Sequence, residues 1–353
     1  MSTRIYSLDQ LGWSPVYSQQ LTLEDLAAGF PARVSGVHRS SIVVLSERAP
    51  SLTLPRERGR ESSSITVGDW LLVEHEAPRV LRVLERRSLI ARMAAGIEQH
   101  SQPIAANVDT LFVVTSCNQD FNLSRLERYL ALARHAQVEP VIVITKADLC
   151  VEAESFVSQA RSVAGRAEAL ALDATSREAA SWLGPWLAGG QTVAFVGSSG
   201  VGKSTLVNTL LGGEALATGA IREDDDRGRH TTTSRQMLAL PGGPWVIDTP
   251  GMRELKIGAV ESGVSAVFAE VEELVHACRF RDCNHEQAAG CALEAAVAAG
   301  QLDARRLSSY LKLQREAKRA GLSLHERRES ERRFGRMVRS ALKTRYRLKG
   351  RDH

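Results

Sequence analysis

The sequence predicts a multidomain α/β protein, and three observations support this fold class. Short apolar runs broken by glycine and proline fill residues 31–93, which is typical of a small β-barrel or sandwich. Predicted strands alternate with predicted helices across 107–257, which favours a parallel, doubly wound sheet. Three cysteines and a histidine cluster in 258–353, where a small helical domain is expected.

The bulk composition fits a soluble globular protein of two or three domains. The 353 residues are 43% hydrophobic and 24% charged. No apolar run approaches the roughly 18 residues of a membrane span, and the first residues lack the apolar core of a signal peptide. Five cysteines, three of them clustered, suit a reducing compartment. We therefore expect a cytoplasmic protein without a membrane partner.

The positive charge is concentrated at the C-terminus. Residues 305–353 hold 17 Lys and Arg against 5 Asp and Glu, a net charge of +12 within a chain of +4. The rest of the chain therefore carries −8. A basic tail on an acidic body predicts a polyanionic partner.

The N-terminal part is predicted as a segment, a barrel and a linker. In residues 1–30, Leu11, Trp13 and Tyr17 can pack a short segment onto a neighbouring domain. Three apolar runs predict barrel strands: 41–45, 70–73 and 80–84. Small barrels often bind oligonucleotides, but a purely structural barrel remains an equal alternative. Residues 94–106 are predicted as a linker.

The central region follows a strand–helix alternation. Strands are predicted at 109–114, 141–144, 168–172, 192–196 and 245–247. Helices are predicted at 123–136, 152–164 and 177–188, and after residue 205. This order is that of a doubly wound sheet.

A glycine-rich loop joins the 192–196 strand to the following helix and matches G-x-x-x-x-G-K-[ST] in full. Its backbone N–H groups and the helix N-terminus are suited to phosphate. The amine of Lys203 reaches the outer phosphates in this motif, and the Ser204 hydroxyl holds Mg²⁺. The loop consists of Gly197, Ser198, Ser199, Gly200, Val201, Gly202, Lys203, Ser204 and Thr205.

Two further strand ends carry residues suited to a guanine nucleotide. Thr145, Lys146 and Asp148 follow the 141–144 strand, and a carboxylate there can accept hydrogen bonds from the N1 and N2 donors of guanine. Asp248 and Gly251 begin and end an Asp-Thr-Pro-Gly loop, suited to water-mediated Mg²⁺ binding and to a γ-phosphate contact. Each is by itself also an ordinary turn sequence, and the phosphate loop makes the functional interpretation the stronger one.

Between these elements lies the polar segment 228–233, which follows an acidic run at 223–226. It suits a mobile loop, and one of its threonines can complete the Mg²⁺ shell, although a solvated connection is the alternative. The guanine-reading element precedes the phosphate loop, the reverse of the usual order. The Asp-Thr-Pro-Gly loop consequently runs straight into the C-terminal region.

The cysteine cluster has the spacing C-x4-C-x-H-x5-C. Three thiolates and one imidazole suit tetrahedral Zn²⁺, and four protein ligands leave no open position, so the predicted site is structural. The predicted ligands are Cys278, Cys283, His285 and Cys291. We treat His276 as a bystander, and Cys117 and Cys150 as buried apolar side chains.

Taken together, these motifs in this order resemble the RsgA (YjeQ) family of ribosome small subunit-dependent GTPases over roughly residues 30–300. The resemblance implies an N-terminal OB-fold, a circularly permuted GTPase domain and a C-terminal zinc domain. It also implies GTP and GDP as ligands and a late role in maturation of the small ribosomal subunit, with that subunit and its rRNA as partners. The resemblance further implies that the small subunit stimulates hydrolysis. By the same resemblance, Thr145, Lys146 and Asp148 read guanine.

Three residues are candidates for the reaction itself: Lys203, His230 and Thr232. Met252 occupies the position where signalling GTPases carry a water-orienting glutamine, and a thioether hydrogen-bonds too weakly to replace it. His230 in the 228–233 segment is the nearest candidate replacement. We expect loss of its imidazole to lower stimulated turnover while GTP binding survives.

The tail adds an apolar stripe flanked by arginines over 332–343, which favours a basic amphipathic helix on ribosomal RNA, with a solvated helix as the alternative. The leading hypothesis is a monomeric GTPase. The second is a nucleotide-gated RNA-assembly factor whose hydrolysis is incidental. Asp148 disfavours a third, an ATP-dependent enzyme.

Overall fold

The computed structural model describes residues 4–56, 64–93, 101–212, 235–248, 260–280, 283–285, 288, 290–321 and 326. The strands are β1 (Gly29–Val37), β2 (Ser41–Leu45), β3 (Leu52–Pro55), β4 (Trp70–Glu74), β5 (Val80–Val83), β6 (Leu89–Met93), β7 (Ser101–Ala106), β8 (Thr110–Ser116), β9 (Glu139–Thr145), β10 (Glu168–Ala171), β11 (Thr192–Val196), β12 (Arg235–Ala239) and β13 (Trp245–Asp248). The helices are α1 (Pro15–Ser18), α2 (Leu23–Ala28), α3 (Leu123–His135), α4 (Ala153–Ala164), α5 (Ala179–Trp182), α6 (Lys203–Leu210), α7 (Glu261–Val267), α8 (Ala269–Val275), α9 (Ala292–Ala298) and α10 (Ala304–Gly321).

The central sheet confirms the predicted α/β class. Strands β10, β9, β8, β11 and β13 pair in that order and run parallel. Every residue of β8 and β11 is buried, as the continuous apolar runs require of strands covered on both faces. Two clusters of buried apolar side chains cover the sheet.

The N-terminal strands lie where the sequence predicts a small barrel or sandwich, and we call them the β domain. They pair in the antiparallel order β5-β4-β1-β2-β3 around a separate apolar core. β1 also pairs with β12, where Gly36 lies opposite Gln236 and Val37 opposite Arg235. Through this pairing the β domain and the central sheet become one continuous sheet.

Two predicted elements differ in the structure. The stretch 94–106, predicted as a linker, contains β7, which pairs with β6 because its apolar side chains are buried against the central domain. The helix predicted at 177–188 is only the short α5 followed by a 3₁₀ turn at Gly184–Trp186. Pro185 has no N–H to continue the helical ladder and disfavours helical backbone at the preceding residue.

The N-terminal segment packs as predicted. Leu11 and Tyr17 are fully buried, and the Trp13 ring meets the Trp70 ring edge-on with centroids 4.7 Å apart. Beneath them lies the guanidinium of Arg33, which donates to the Leu11 carbonyl and, at 2.8 Å, to the Thr192 hydroxyl. Burial lowers the pKa of Arg33 to about 10. This one side chain joins the N-terminal segment, the β domain and the central sheet.

The C-terminal helices form a small domain with its own core, centred on Phe268 and Tyr310. It is fastened to α3 by Glu127, whose carboxylate is fully buried and accepts from Arg305 and Arg306 of α10 at 3.1 and 2.9 Å. None of the helices in the described ranges combines the length and the hydropathy that a membrane span needs.

Candidate nucleotide site and metal centre

The carboxyl ends of the five parallel strands form one edge of the central sheet. The chain proceeds outward from β8 through β9 to β10 and then returns to β11, on the other side of β8. The direction of winding therefore changes between β8 and β11. In open α/β sheets, ligands bind in the crevice outside the strand ends at such a point.

The phosphate loop leaves β11 at this crevice with a backbone that only glycine adopts easily. Gly197, Gly200 and Gly202 have φ values of 153°, 77° and 88°. A Cβ on Gly197 would lie 2.1 Å from the carbonyl oxygen of Val114 in β8. Glycine is therefore required both for the turn and for the close approach of the two strands.

Lys203 and Ser204 open α6, where the helix N-terminus faces the loop. The Lys203 ammonium donates to the Gly197 carbonyl at 2.8 Å and to the Ser198 carbonyl. Ser204 is half-buried in the same helical turn, and Thr205 is exposed. The Lys203 amine thus lies against the loop, as binding of phosphate requires, and Ser204 follows it at the start of the same helix.

The residues predicted to read guanine lie at the end of β9, beside the phosphate loop. Lys146 has φ 59° and starts a 3₁₀ turn at Ala147–Leu149, on which Asp148 is exposed. Thr145 is fully buried, and its hydroxyl lies 2.6 Å from the Val201 carbonyl and 3.1 Å from that of Thr115. The Thr145 hydroxyl therefore contacts the phosphate loop, a partner that the sequence did not predict.

The loop after β10 also lies at this edge, and no sequence motif indicated it. The loop after β10 meets the guanine-reading turn, where the Ala147 N–H donates to the Leu172 carbonyl at 3.4 Å. Asp173 fixes this loop by accepting from the Thr175 hydroxyl and N–H at 2.7 and 2.8 Å, and these bonds lower the pKa of Asp173. Its position after a parallel strand at the same edge was the available signal.

The segments that follow β8 contribute Cys117 and, from the first turn of α3, Arg125. Burial, with the neighbouring Cys150, raises the pKa of the Cys117 thiol to about 11, so the thiol is neutral at pH 7. Cys117 is buried as expected, whereas Cys150 is only half-buried. Arg125, in the first turn of α3, donates to the Ser198 hydroxyl of the phosphate loop. No sequence motif pointed to Arg125.

The remaining predicted nucleotide residues are incompletely placed. Asp248 ends β13, which lies directly beside β11, so its backbone is at the same edge. His230, Thr232 and Gly251 lie outside the described residues. Their roles remain predictions.

The structure brings the four predicted metal ligands together. The sulfur and nitrogen atoms of Cys278, Cys283, His285 and Cys291 all lie within 4.8 Å of one another. His285 Nδ1 is 3.6 Å from the Cys278 sulfur and 3.7 Å from the Cys291 sulfur. A tetrahedral Zn²⁺ with bonds of about 2.3 Å to sulfur and 2.0 Å to nitrogen spaces such ligands about 3.6 Å apart.

The protein environment also suits these ligands. Burial and the charge of Lys318 lower the pKa of His285, which favours the neutral imidazole that binds metal. The Ala292 N–H, at the start of α9, donates to the Cys278 sulfur at 3.4 Å, which supports a thiolate. The cluster can therefore hold a metal ion, and its donor set fits zinc.

Comparisons with known proteins agree with this geometry. A model of the RsgA GTPase family matches residues 83–258. The chain is 47% identical over 349 residues to the small ribosomal subunit biogenesis GTPase RsgA 2 of Vibrio vulnificus, covering 99% of both chains. It is 48% identical over 314 residues to the small ribosomal subunit biogenesis GTPase RsgA of Mesorhizobium japonicum, covering 88% of this chain and 90% of that protein.

Two solved structures share the fold. The crystal structure of YjeQ from Thermotoga maritima aligns with a TM-score of 0.59 and 26% identity, covering 82% of this chain and 98% of that one. The circularly permuted GTPase YloQ aligns with a TM-score of 0.56 and 22% identity, over 83% and 96% of the two chains. With the near full-length identity to curated relatives, these matches show that the chain belongs to the RsgA family of circularly permuted GTPases.

Proposed function

We propose that this protein hydrolyses GTP to GDP and phosphate at the carboxyl edge of its central sheet, during maturation of the small ribosomal subunit. The contact that carries this proposal is the hydrogen bond between Thr145 and Val201. It joins the guanine-reading turn to the phosphate loop, so base and phosphates can be held by one rigid unit. The family name and the names of the relatives support the same activity.

Different residues bind different parts of the nucleotide in this proposal. The N–H groups of Gly197 to Ser204 cradle the phosphates, and the Lys203 ammonium turns from the loop carbonyls to the outer phosphates. Asp148 accepts from guanine, Lys146 supports the base, and Thr145 binds it indirectly by fixing both loops. Asp248, Gly251, His230 and Thr232 complete the proposed site from the neighbouring segments.

Two metals complete the proposal. Ser204, with Asp248 through water and Thr232, would hold Mg²⁺, which neutralises charge on the β- and γ-phosphates. Zn²⁺ held by the cysteine cluster would be structural, because all four of its positions are taken by protein ligands. The four ligands of the proposed zinc site already lie within 4.8 Å of one another.

We propose ribosomal RNA of the small subunit as the macromolecular partner. Beside the metal cluster, half of the Phe280 ring surface is exposed, and the Arg279 guanidinium lies 5.4 Å from the ring centroid. An exposed aromatic ring next to arginine suits an unpaired base and its phosphate. The basic tail after residue 326, outside the described residues, adds charge to the same domain. We further propose a monomer acting in the cytoplasm.

The decisive experiment is GTP hydrolysis by the purified protein alone, with small subunits, with large subunits, and with free ribosomal RNA. Strong stimulation by small subunits alone supports the proposed enzyme. Tight GTP binding without stimulation favours the nucleotide-gated assembly factor. Competition by ATP as strong as that by GDP would contradict the assignment of Asp148.

A further inference from the structure

Arg125 is a half-buried cation that contacts the phosphate loop, and neither the motifs nor the family matches assign it a role. We propose that Arg125 is a catalytic arginine supplied by the protein itself. Its guanidinium would bind the γ-phosphate of GTP and the oxygen that bridges it to the β-phosphate. This inference rests on the nucleotide site proposed above.

Arg125 reaches the phosphate loop from a neighbouring strand–helix unit of the sheet. It stands in the first turn of α3, which follows β8, whereas its partner Ser198 follows β11. The contact therefore spans the crevice between β8 and β11, where the winding of the sheet changes direction. A ligand in that crevice lies between the Arg125 side of the site and the phosphate-loop side.

Two positive charges converge on one residue of the phosphate loop, Ser198. Arg125 donates to the Ser198 hydroxyl, while the Lys203 ammonium donates to the Ser198 carbonyl. Two cations held on one loop residue repel each other, and an anion bound near both relieves that repulsion. The proposed ligand of Lys203 is the outer phosphates of GTP. Because both side chains contact Ser198, we expect Arg125 to bind the same phosphates.

In the described part of the chain, the surroundings of Arg125 do not explain this cation. The positive end of a helix dipole disfavours Arg125 in the first turn of α3. Its other hydrogen bond goes to the Asp120 carbonyl at 3.5 Å, and no carboxylate of the described residues pairs with it. By contrast, Arg128 on the same helix is ion-paired with Glu316 at 2.7 Å.

The turn that carries Arg125 is also held in place. Its backbone N–H donates to the Asn122 side-chain oxygen at 3.0 Å, which caps α3. The opposite side of α3 is fastened by Glu127 to the C-terminal domain. The guanidinium is therefore delivered from a fixed element, as electrostatic stabilisation of a transition state requires.

In the reaction, the oxygen of water forms a bond to the γ-phosphorus as the bond to the bridging oxygen breaks. The electron pair of the broken bond stays on the bridging oxygen, which becomes a terminal oxygen of GDP, and the protons of water leave with the phosphate. Negative charge grows on the bridging oxygen as that bond lengthens. A guanidinium is a permanent cation that stabilises this charge without exchanging a proton.

The test compares Arg125→Ala and Arg125→Lys with Arg134→Ala, a matched control at the other end of α3. The readouts are kcat at saturating GTP with small subunits, and the Kd values of fluorescent GDP and of a non-hydrolysable GTP analogue. For Arg125→Ala we expect kcat to fall at least about tenfold, and the analogue Kd to rise by about as much. GDP affinity falls less, by no more than about threefold, because GDP keeps the former bridging oxygen but lacks the γ-phosphate contact. Arg125→Lys retains the charge and gives an intermediate kcat.

Ser198→Ala separates direct from indirect action, because it removes the hydroxyl partner and keeps the cation. The proposal requires the loss of kcat in Arg125→Ala to exceed that in Ser198→Ala by at least about tenfold. Equal losses, equal weakening of GDP and the analogue, or a kcat matching Arg134→Ala would overturn it. Wild-type protein that bound neither nucleotide would instead contradict the proposed nucleotide site itself.

Discussion

The proposed nucleotide site at the carboxyl edge of the central sheet, here called the nucleotide edge, differs in construction from the cluster of Cys278, Cys283, His285 and Cys291. At the nucleotide edge, the loop geometry comes from backbone at three glycines, and the contributing residues come from strand ends distant in sequence. In the cluster, four side chains within one short segment supply the four candidate metal ligands. The first site therefore depends on conformation and close approach, whereas the second depends on the chemical identity of its ligands.

The largest effect should follow loss of the metal. Structural zinc contributes on the order of 10 kcal/mol to the folding of small domains, and His285→Ala removes one of four ligands. We expect zinc content to fall and the C-terminal domain to become sensitive to protease, with GDP affinity of the central domain kept within about threefold.

His276→Ala is the matched control, since His276 is exposed close to the cluster and is not one of its ligands. It should keep a full complement of zinc and the protease resistance of wild type. A variant His285→Ala that bound zinc as tightly as His276→Ala would show that the cluster is not the metal site.

The next largest effect should follow loss of the ion pairs that join α3 of the central domain to α10 of the C-terminal domain. Glu127→Gln removes the buried negative charge that Arg305 and Arg306 share, whereas Arg306 keeps Glu270 and the Val267 carbonyl. Breaking a buried pair in this way costs about 3 kcal/mol, which would appear as a lower midpoint of thermal unfolding of the C-terminal domain.

Glu316→Gln is its control, because the Arg128–Glu316 pair lies on the same two helices but is about one-third exposed. Loss of such a pair should cost less than about 1 kcal/mol. Equal shifts in the two midpoints would mean that the burial of Glu127 adds nothing to the attachment.

For Gly197→Ala we expect a smaller loss of stability but a complete loss of GDP binding. The new Cβ would meet the Val114 carbonyl at 2.1 Å, and the φ of 153° would be strained. We expect a cost of about 2–3 kcal/mol in the free energy of unfolding, measured in urea, and no detectable GDP binding. Zinc content should stay unchanged.

Gly184→Ala serves as the comparison for Gly197→Ala, since a Cβ there meets nothing within 4 Å. It should bind GDP as wild type does. GDP binding by Gly197→Ala at wild-type affinity would contradict the backbone-built character of the nucleotide site.

The same difference decides what the sequence could predict. The phosphate loop and the cluster were predictable because each lies within one short segment whose spacing carries the geometry. Arg125, Asp173 and the Thr145–Val201 bond were not, because each depends on which strand lies next to which. Sequence order does not reveal that β8 lies between β9 and β11.

The secondary structure shows a related limit. The continuous apolar runs of β8, β9 and β11 predicted buried strands within two residues of their ends. β7 lies within the predicted 94–106 linker, and its residues, Ser101–Ala106, include a proline and polar side chains that obscure a strand pattern. Its pairing with β6 and its burial come from tertiary contacts that local patterns do not record.

The most direct test of the account is nucleotide binding by Asp148→Asn, with affinities for GTP and xanthosine triphosphate measured in parallel. A carboxylate accepts from the N2 amino group of guanine, whereas an amide can donate to the oxygen that xanthine carries at that position. We predict that GTP affinity falls at least about 100-fold and that xanthosine triphosphate affinity rises. Unchanged GTP affinity, with no gain for xanthosine triphosphate, would contradict a guanine site at this edge of the sheet.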